Sequence, residues 1–148
     1  MKLVAEVFKL PSGSLIPQFY CVDENGDVVR GVTDTLLNLV AESLPNQIER
    51  LTAILVSAQK GTYERSDPNL ADWSVNDKFV WVGPPRAEMG FALISNENIP
   101  DFSSDDGEPQ KFSIEQFLSA IAHWNEFREM LSERGMGGLV GDRFEGVI

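Results

Sequence analysis

The sequence predicts an α+β domain: a mixed, mainly antiparallel sheet packed by two consecutive helices and one long C-terminal helix. Three observations lead there. The first strand region divides its apolar residues between two faces at strand spacing, the stretch 111–135 repeats its apolar residues at helical spacing, and strands and helices do not alternate one by one. The order is two strands and a short third, two helices, two more strands and a last helix, which fits neither βαβ alternation nor a pure sandwich. A chain of 148 residues is long enough for one domain (1–148) with a core that needs no disulfide or metal.

Residues 2–10 place Leu3, Ala5 and Val7 on one face and Val4, Glu6 and Phe8 on the other, the period of a strand. Pro11-Ser12-Gly13 is a turn, and Leu15–Val22 (LIPQFYCV) is a second strand. Pro17 lacks an N–H for a ladder, which puts this strand at an edge or Pro17 among the strand's first residues. Asp23-Glu24-Asn25-Gly26-Asp27 follows. Asp23, Asn25 and Asp27 match the first ligand positions of a calcium loop. Val28, however, stands where the sharp turn needs glycine, and Asp34 where a bidentate glutamate belongs. A turn built on Asn25-Gly26 is the expectation.

Thr33 or Asp34 can cap a helix through Leu44, burying Leu36, Leu37, Val40 and Leu44. Pro45 ends it or begins the next, where Asn46 and Glu49 form a cap. Ile48, Leu51, Ile54, Leu55 and Ala58 make the stripe, and Gly61 stops it. Thr62–Asn76 is polar and irregular. Lys78–Val82 (KFVWV) and Gly90–Ser95 (GFALIS) form a hairpin, and Asn96–Gln110 is a second irregular stretch with five acids and no base.

The long helix is the most strongly signalled element. Ile114, Phe117, Leu118, Ile121, Trp124, Phe127 and Leu131 form one broad stripe. Ser113 with Gln116 makes a capping box and Gly135 suits the closing residue. Ser113 to Arg134 would span roughly 33 Å at ~1.5 Å per residue. The tail 136–148 has four glycines, and its sequence leaves open whether it docks or stays mobile.

Twelve basic against 23 acidic residues leave a net charge of −11. The imbalance is uneven: residues 64–148 hold 16 acids and seven bases, residues 1–63 seven and five. Such a field repels nucleic acid and anionic membranes and attracts basic proteins. Cys21 is the single cysteine, so neither an intrachain disulfide nor a cysteine zinc site is expected. The start MKLVAEVFKLPSG has no apolar run of signal-peptide length, and a cytoplasmic location is the expectation.

Catalytic chemistry is thinly represented. His123, the single histidine, is one helical turn from Ser119, but nothing supplies a nucleophile elbow or oxyanion hole, so it reads as a helix-surface histidine. GMGGLVG (135–141) follows a helix, where a dinucleotide loop must follow a strand, and reads as a linker. Asp101, Ser103, Asp105 and Asp106 match no recognised metal loop and read as solvated. No cofactor or metal is expected. What remains is surface: Asp67, Asp72, Trp73 and Asp77 in one irregular stretch, and Glu97, Asp101, Asp105, Asp106 and Glu108 in the other. Carboxylates there would steer a basic partner and Trp73 would anchor it, whereas Trp81, in mid-strand, reads as core.

The acidic α+β layout, the tryptophan-bearing hairpin at 73–95 and the helix FSIEQFLSAIAHWNEFREML within 111–135 resemble small bacterial immunity proteins. These guard cells against contact-dependent growth-inhibition toxins and similar polymorphic toxins. The resemblance implies stoichiometric binding of a basic toxin domain, often a nuclease, with no reaction catalysed. The alternatives are an acidic nucleic-acid mimic or adaptor and a small metal-binding or enzymatic domain.

Overall fold

The computed structural model describes residues 1–64, 70–83, 91–96 and 109–148. In chain order the elements are β1 (Lys2–Lys9), β2 (Leu15–Val22), α1 (Arg30–Val32), a π-helical stretch Thr33–Leu37, α2 (Asn38–Glu42) and α3 (Pro45–Gln59). They continue with β3 (Trp73–Val75), β4 (Lys78–Val82), β5 (Phe91–Ser95), β6 (Gln110–Ser113), α4 (Ile114–Leu139) and β7 (Arg143–Val147). The fold is α+β. Its strands divide between two antiparallel sheets, ordered β2-β1-β7 and β3-β4-β5-β6. The chain forms two compact units, one of residues Met1–Ala41 with Ser119–Ile148, the other of Glu42–Leu118.

In the first unit β1 is central. It pairs with β2 from Lys2↔Val22 to Lys9↔Leu15 and with β7 from Lys2↔Val147 to Glu6↔Arg143. β2 is an edge strand and Pro17 is its third residue, so both expectations for that proline hold. Alternation turns Leu3, Ala5, Val7, Phe19, Cys21 and Phe144 to one face. Against that face α4 sets Trp124, stacked on Phe19 at 5.0 Å and tilted against Phe127 at 5.4 Å. Helical backbone begins at Arg30, earlier than Thr33 or Asp34, because the Thr33 hydroxyl accepts the Cys21 N–H at 3.0 Å and is not free to cap. In the π-helical stretch the Thr35 hydroxyl donates to the Gly31 carbonyl at 2.6 Å. The wider turn helps bury Leu36, Leu37, Leu39 and Val40 together.

In the second unit α3 starts at Pro45, and Leu44 is its extended cap residue, 58% exposed rather than buried. The residue before proline is pushed out of helical backbone, which takes Leu44 off the apolar stripe. The Gln47 side chain, in place of an Asn46–Glu49 pair, accepts the free Leu44 N–H at 2.7 Å. The β4–β5 hairpin pairs Phe79↔Ser95 through Val82↔Ala92. β3 extends the sheet inside a stretch expected to be irregular and β6 runs from the end of the second such stretch to the cap of the long helix; at three and four residues neither is long enough to show a period.

α4 gives its first five residues to the second unit and the rest to the first. Its capping box is made in full: the Gln116 side chain accepts the Ser113 N–H and the Ser113 hydroxyl accepts the Gln116 N–H, both at 3.0 Å. Gly135 breaks it at φ 71°, ψ 163°. Beyond the break Arg134 donates to the Gly138 carbonyl at 2.8 Å and to the Asp142 carboxylate at 2.9 Å, folding the glycine-rich turn back toward β7. Among the described residues no helix is long and apolar enough to cross a membrane.

Candidate functional site

Three of the nine acidic and aromatic positions singled out above are described; Asp67, Glu97, Asp101, Asp105, Asp106 and Glu108 lie outside the described residues. The three converge on the β3–β4 hairpin but do different things. Asp72 faces inward: one carboxylate oxygen accepts the Tyr63 hydroxyl at 2.6 Å and the other the Val82 N–H at 2.7 Å, which clamps the strand start to β4. Trp73 is half-buried, and its indole N–H is enclosed without an acceptor among the described residues. Asp77 stands at the tip, its side chain 70% exposed, and pairs with Lys78 Nζ at 2.9 Å. That hydrogen bond and the ammonium charge hold the Asp77 carboxyl below the usual carboxylate range. Asn76, in left-handed backbone at φ 52°, makes the turn and donates to the exposed Glu42 carboxylate at 3.1 Å. Glu42 and Asp77 therefore share one exposed acidic tip. Trp81 is buried, as its mid-strand position predicts.

His123 corrects the sequence reading. It is 8% exposed, not a surface histidine. Its ring stacks on Phe144 at 4.3 Å and 12° and on Phe19 at 5.9 Å and 17°, and Nε2 lies 2.9 Å from the Phe144 carbonyl. A carbonyl only accepts, so Nε2 carries the proton. Burial pushes the imidazole below its ordinary range, against smaller opposing effects of that carbonyl and of Glu126. Cys21 is buried, and burial raises its thiol. The Asp23 loop is a turn: Asp23 Oδ1 accepts the N–H groups of Asn25 at 2.8 Å and Asp27 at 3.0 Å, with Gly26 at φ 87°. Among the described residues no three His, Cys, Asp or Glu side chains gather as metal ligands would.

A polar face that the sequence did not disclose lies on the other side of the β2-β1-β7 sheet. Tyr20 donates to Glu6 at 2.5 Å; Arg143 lies 3.9 Å from Glu6 and 3.8 Å from Glu145; Lys2 lies 3.7 Å from Glu145. Burial, then the Glu6 carboxylate, pushes the Tyr20 hydroxyl up to about 12. Two open concavities of about 490 and 450 Å³ flank this ladder and share Val22, Gly26 and Arg143, forming a trough rimmed by Phe8 and Val28. Arg143 and Glu145 come from the tail, where the alternation of RFEGV was the available signal. Comparisons with protein-family models, with curated proteins and with solved structures find no match.

Proposed function

We propose that this protein is a non-enzymatic inhibitor: an immunity protein that binds a cognate basic toxin domain, of nuclease type, in the cytoplasm and covers its active site by bulk and charge. The observation that carries the reading is where the acid sits. The unit Glu42–Leu118 holds 13 acidic and six basic residues, a net of −7, and one of the six, Lys78, is buried against Asp77. Glu42 and Asp77 present two carboxylates at a turn stiffened by Asn76, the kind of rigid acidic point that steers a basic partner into register. The lone histidine is occupied in packing, which supports binding over acid–base catalysis.

The test is co-expression with the toxin domain encoded immediately upstream, followed by binding of the purified pair. Growth rescue is expected, together with an association rate that falls about tenfold between ~50 and ~500 mM salt. The paired substitutions Glu42→Gln and Asp77→Asn should slow association while leaving the fold intact. A toxin that stays lethal and forms no complex refutes the reading.

A further inference from the structure

The last strand is held by a contact whose chemistry depends on a single proton. β7 reaches the helix through two residues of its inner face, Phe144 and Gly146, and both rest on the His123 ring. Nε2–H donates to the Phe144 carbonyl at 2.9 Å, and the Phe144 ring stacks on the imidazole at 4.3 Å. On the other side the ring sits so tightly on Gly146 that a methyl group there would lie 2.6 Å from Nδ1. Nε2 is the ring nitrogen that holds the strand, and the Phe144 carbonyl accepts its N–H. A second proton would place a cation on a ring only 8% exposed, stacked with Phe19 and Phe144 and packed tightly on Gly146.

Among the described residues of this unit, one neighbouring charge offsets this in part, the Glu126 carboxylate, and its effect is smaller than that of burial. β2 contributes Phe19 and, on the same sheet face, the Cys21 thiol, which burial keeps neutral. β1 contributes Leu3, Ala5 and Val7. β7 turns Arg143 and Glu145 to the opposite face, where they are paired with Glu6 and Lys2. α4 offers Glu126, one turn along and exposed.

We propose that His123 is a protonation-sensitive latch for the C-terminal strand. The neutral imidazole closes β7 onto α4; a proton on Nδ1 opens it and withdraws Arg143, Glu145 and Val147 from the trough on the far side of the sheet. Docked β7 and imidazolium exclude one another, so the latch loosens as pH falls below the ordinary histidine value of about 6.5. It would regulate any partner seated in that trough, whether or not the inhibitor reading holds.

The test is amide exchange of the full chain from pH 7.5 to 5.0, corrected for intrinsic rates, with the single histidine followed by long-range ¹H–¹⁵N NMR. At pH 7.5 the ring should be the Nε2–H tautomer. Protection of residues 144–147 should then fall by up to about tenfold per pH unit below about 6.5, while α3 amides hold. His123→Phe keeps a ring but has no proton to gain, and its β7 protection should be lower throughout and flat with pH. The latch is overturned if β7 keeps its protection while His123 titrates, or if protection falls as steeply in His123→Phe. Should that variant not fold, the wild-type histidine titration and the β7 opening must share one midpoint; separate midpoints overturn the proposal equally.

Discussion

Replacing Gly146 with alanine is the sharpest probe of how β7 is seated. The added methyl would lie 2.6 Å from His123 Nδ1 and 2.8 Å from Cε1. Ordinary van der Waals contact begins near 3.4 Å, so the overlap approaches 1 Å. The ring cannot simply turn aside, because Phe144 and Phe19 stack on it and the Phe144 carbonyl holds Nε2. Overpacking of this kind costs about 1–3 kcal/mol. Alanine also restricts the unfolded chain, which offsets about 0.4–1 kcal/mol where the backbone accepts an L-residue, and Gly146 is not among the positive-φ glycines. A net loss of about 1–2 kcal/mol is expected in urea titrations, with faster exchange confined to β7 and its partner β1. Gly137→Ala, with nothing within 4 Å of the new methyl and a helical backbone, is the matched control and should gain about 0.4–1 kcal/mol. Adding Gly146→Ala to His123→Ala should do little further harm, because the opposing ring has gone. Wild-type stability in Gly146→Ala would show that the ring has room and refute the packing argument for this strand.

Two other substitutions test the polar clamps. Asp72→Ala removes the carboxylate that accepts both the Val82 N–H and the Tyr63 hydroxyl, and a loss of about 1–3 kcal/mol in chemical denaturation is expected; a change under about 0.5 kcal/mol would mean that the clamp adds little to stability. Ultraviolet titration should find Tyr20 ionising at about 12. Because the folded-state value is the higher one, this group's contribution to stability is complete below about pH 10 and is lost as pH rises toward 12. Glu6→Gln should bring the late transition down.

What could be read in the sequence was local. The capping box at Ser113 and Gln116, the stripe from Ile114 to Phe127 and the stop at Gly135 all lie within one helix, so spacing alone reveals them. The Asp23–Asp27 turn is equally local. Two kinds of feature escaped. Short strands such as Trp73–Val75 take their identity from a neighbour's ladder, and three residues carry no period of their own. Long-range contacts escaped as well: His123 looks peripheral on its helix until Phe19 and Phe144, remote in sequence, enclose it. Asp72 could be singled out as an acid, but its Tyr63 and Val82 partners depend on strand placement. The candidate trough was hidden for the same reason, since it exists only once Arg143 lies opposite Glu6.

Pairing of Lys2 with Val147 also sets an order of events during synthesis. β1 is made well before β7, and one of its two edges stays open until Arg143–Val147 has been translated. Residues 42–118, a continuous segment, can collapse in the meantime, whereas the unit that brackets them closes last. A nascent chain stalled before residue 143 should therefore present β1 as a sticky edge.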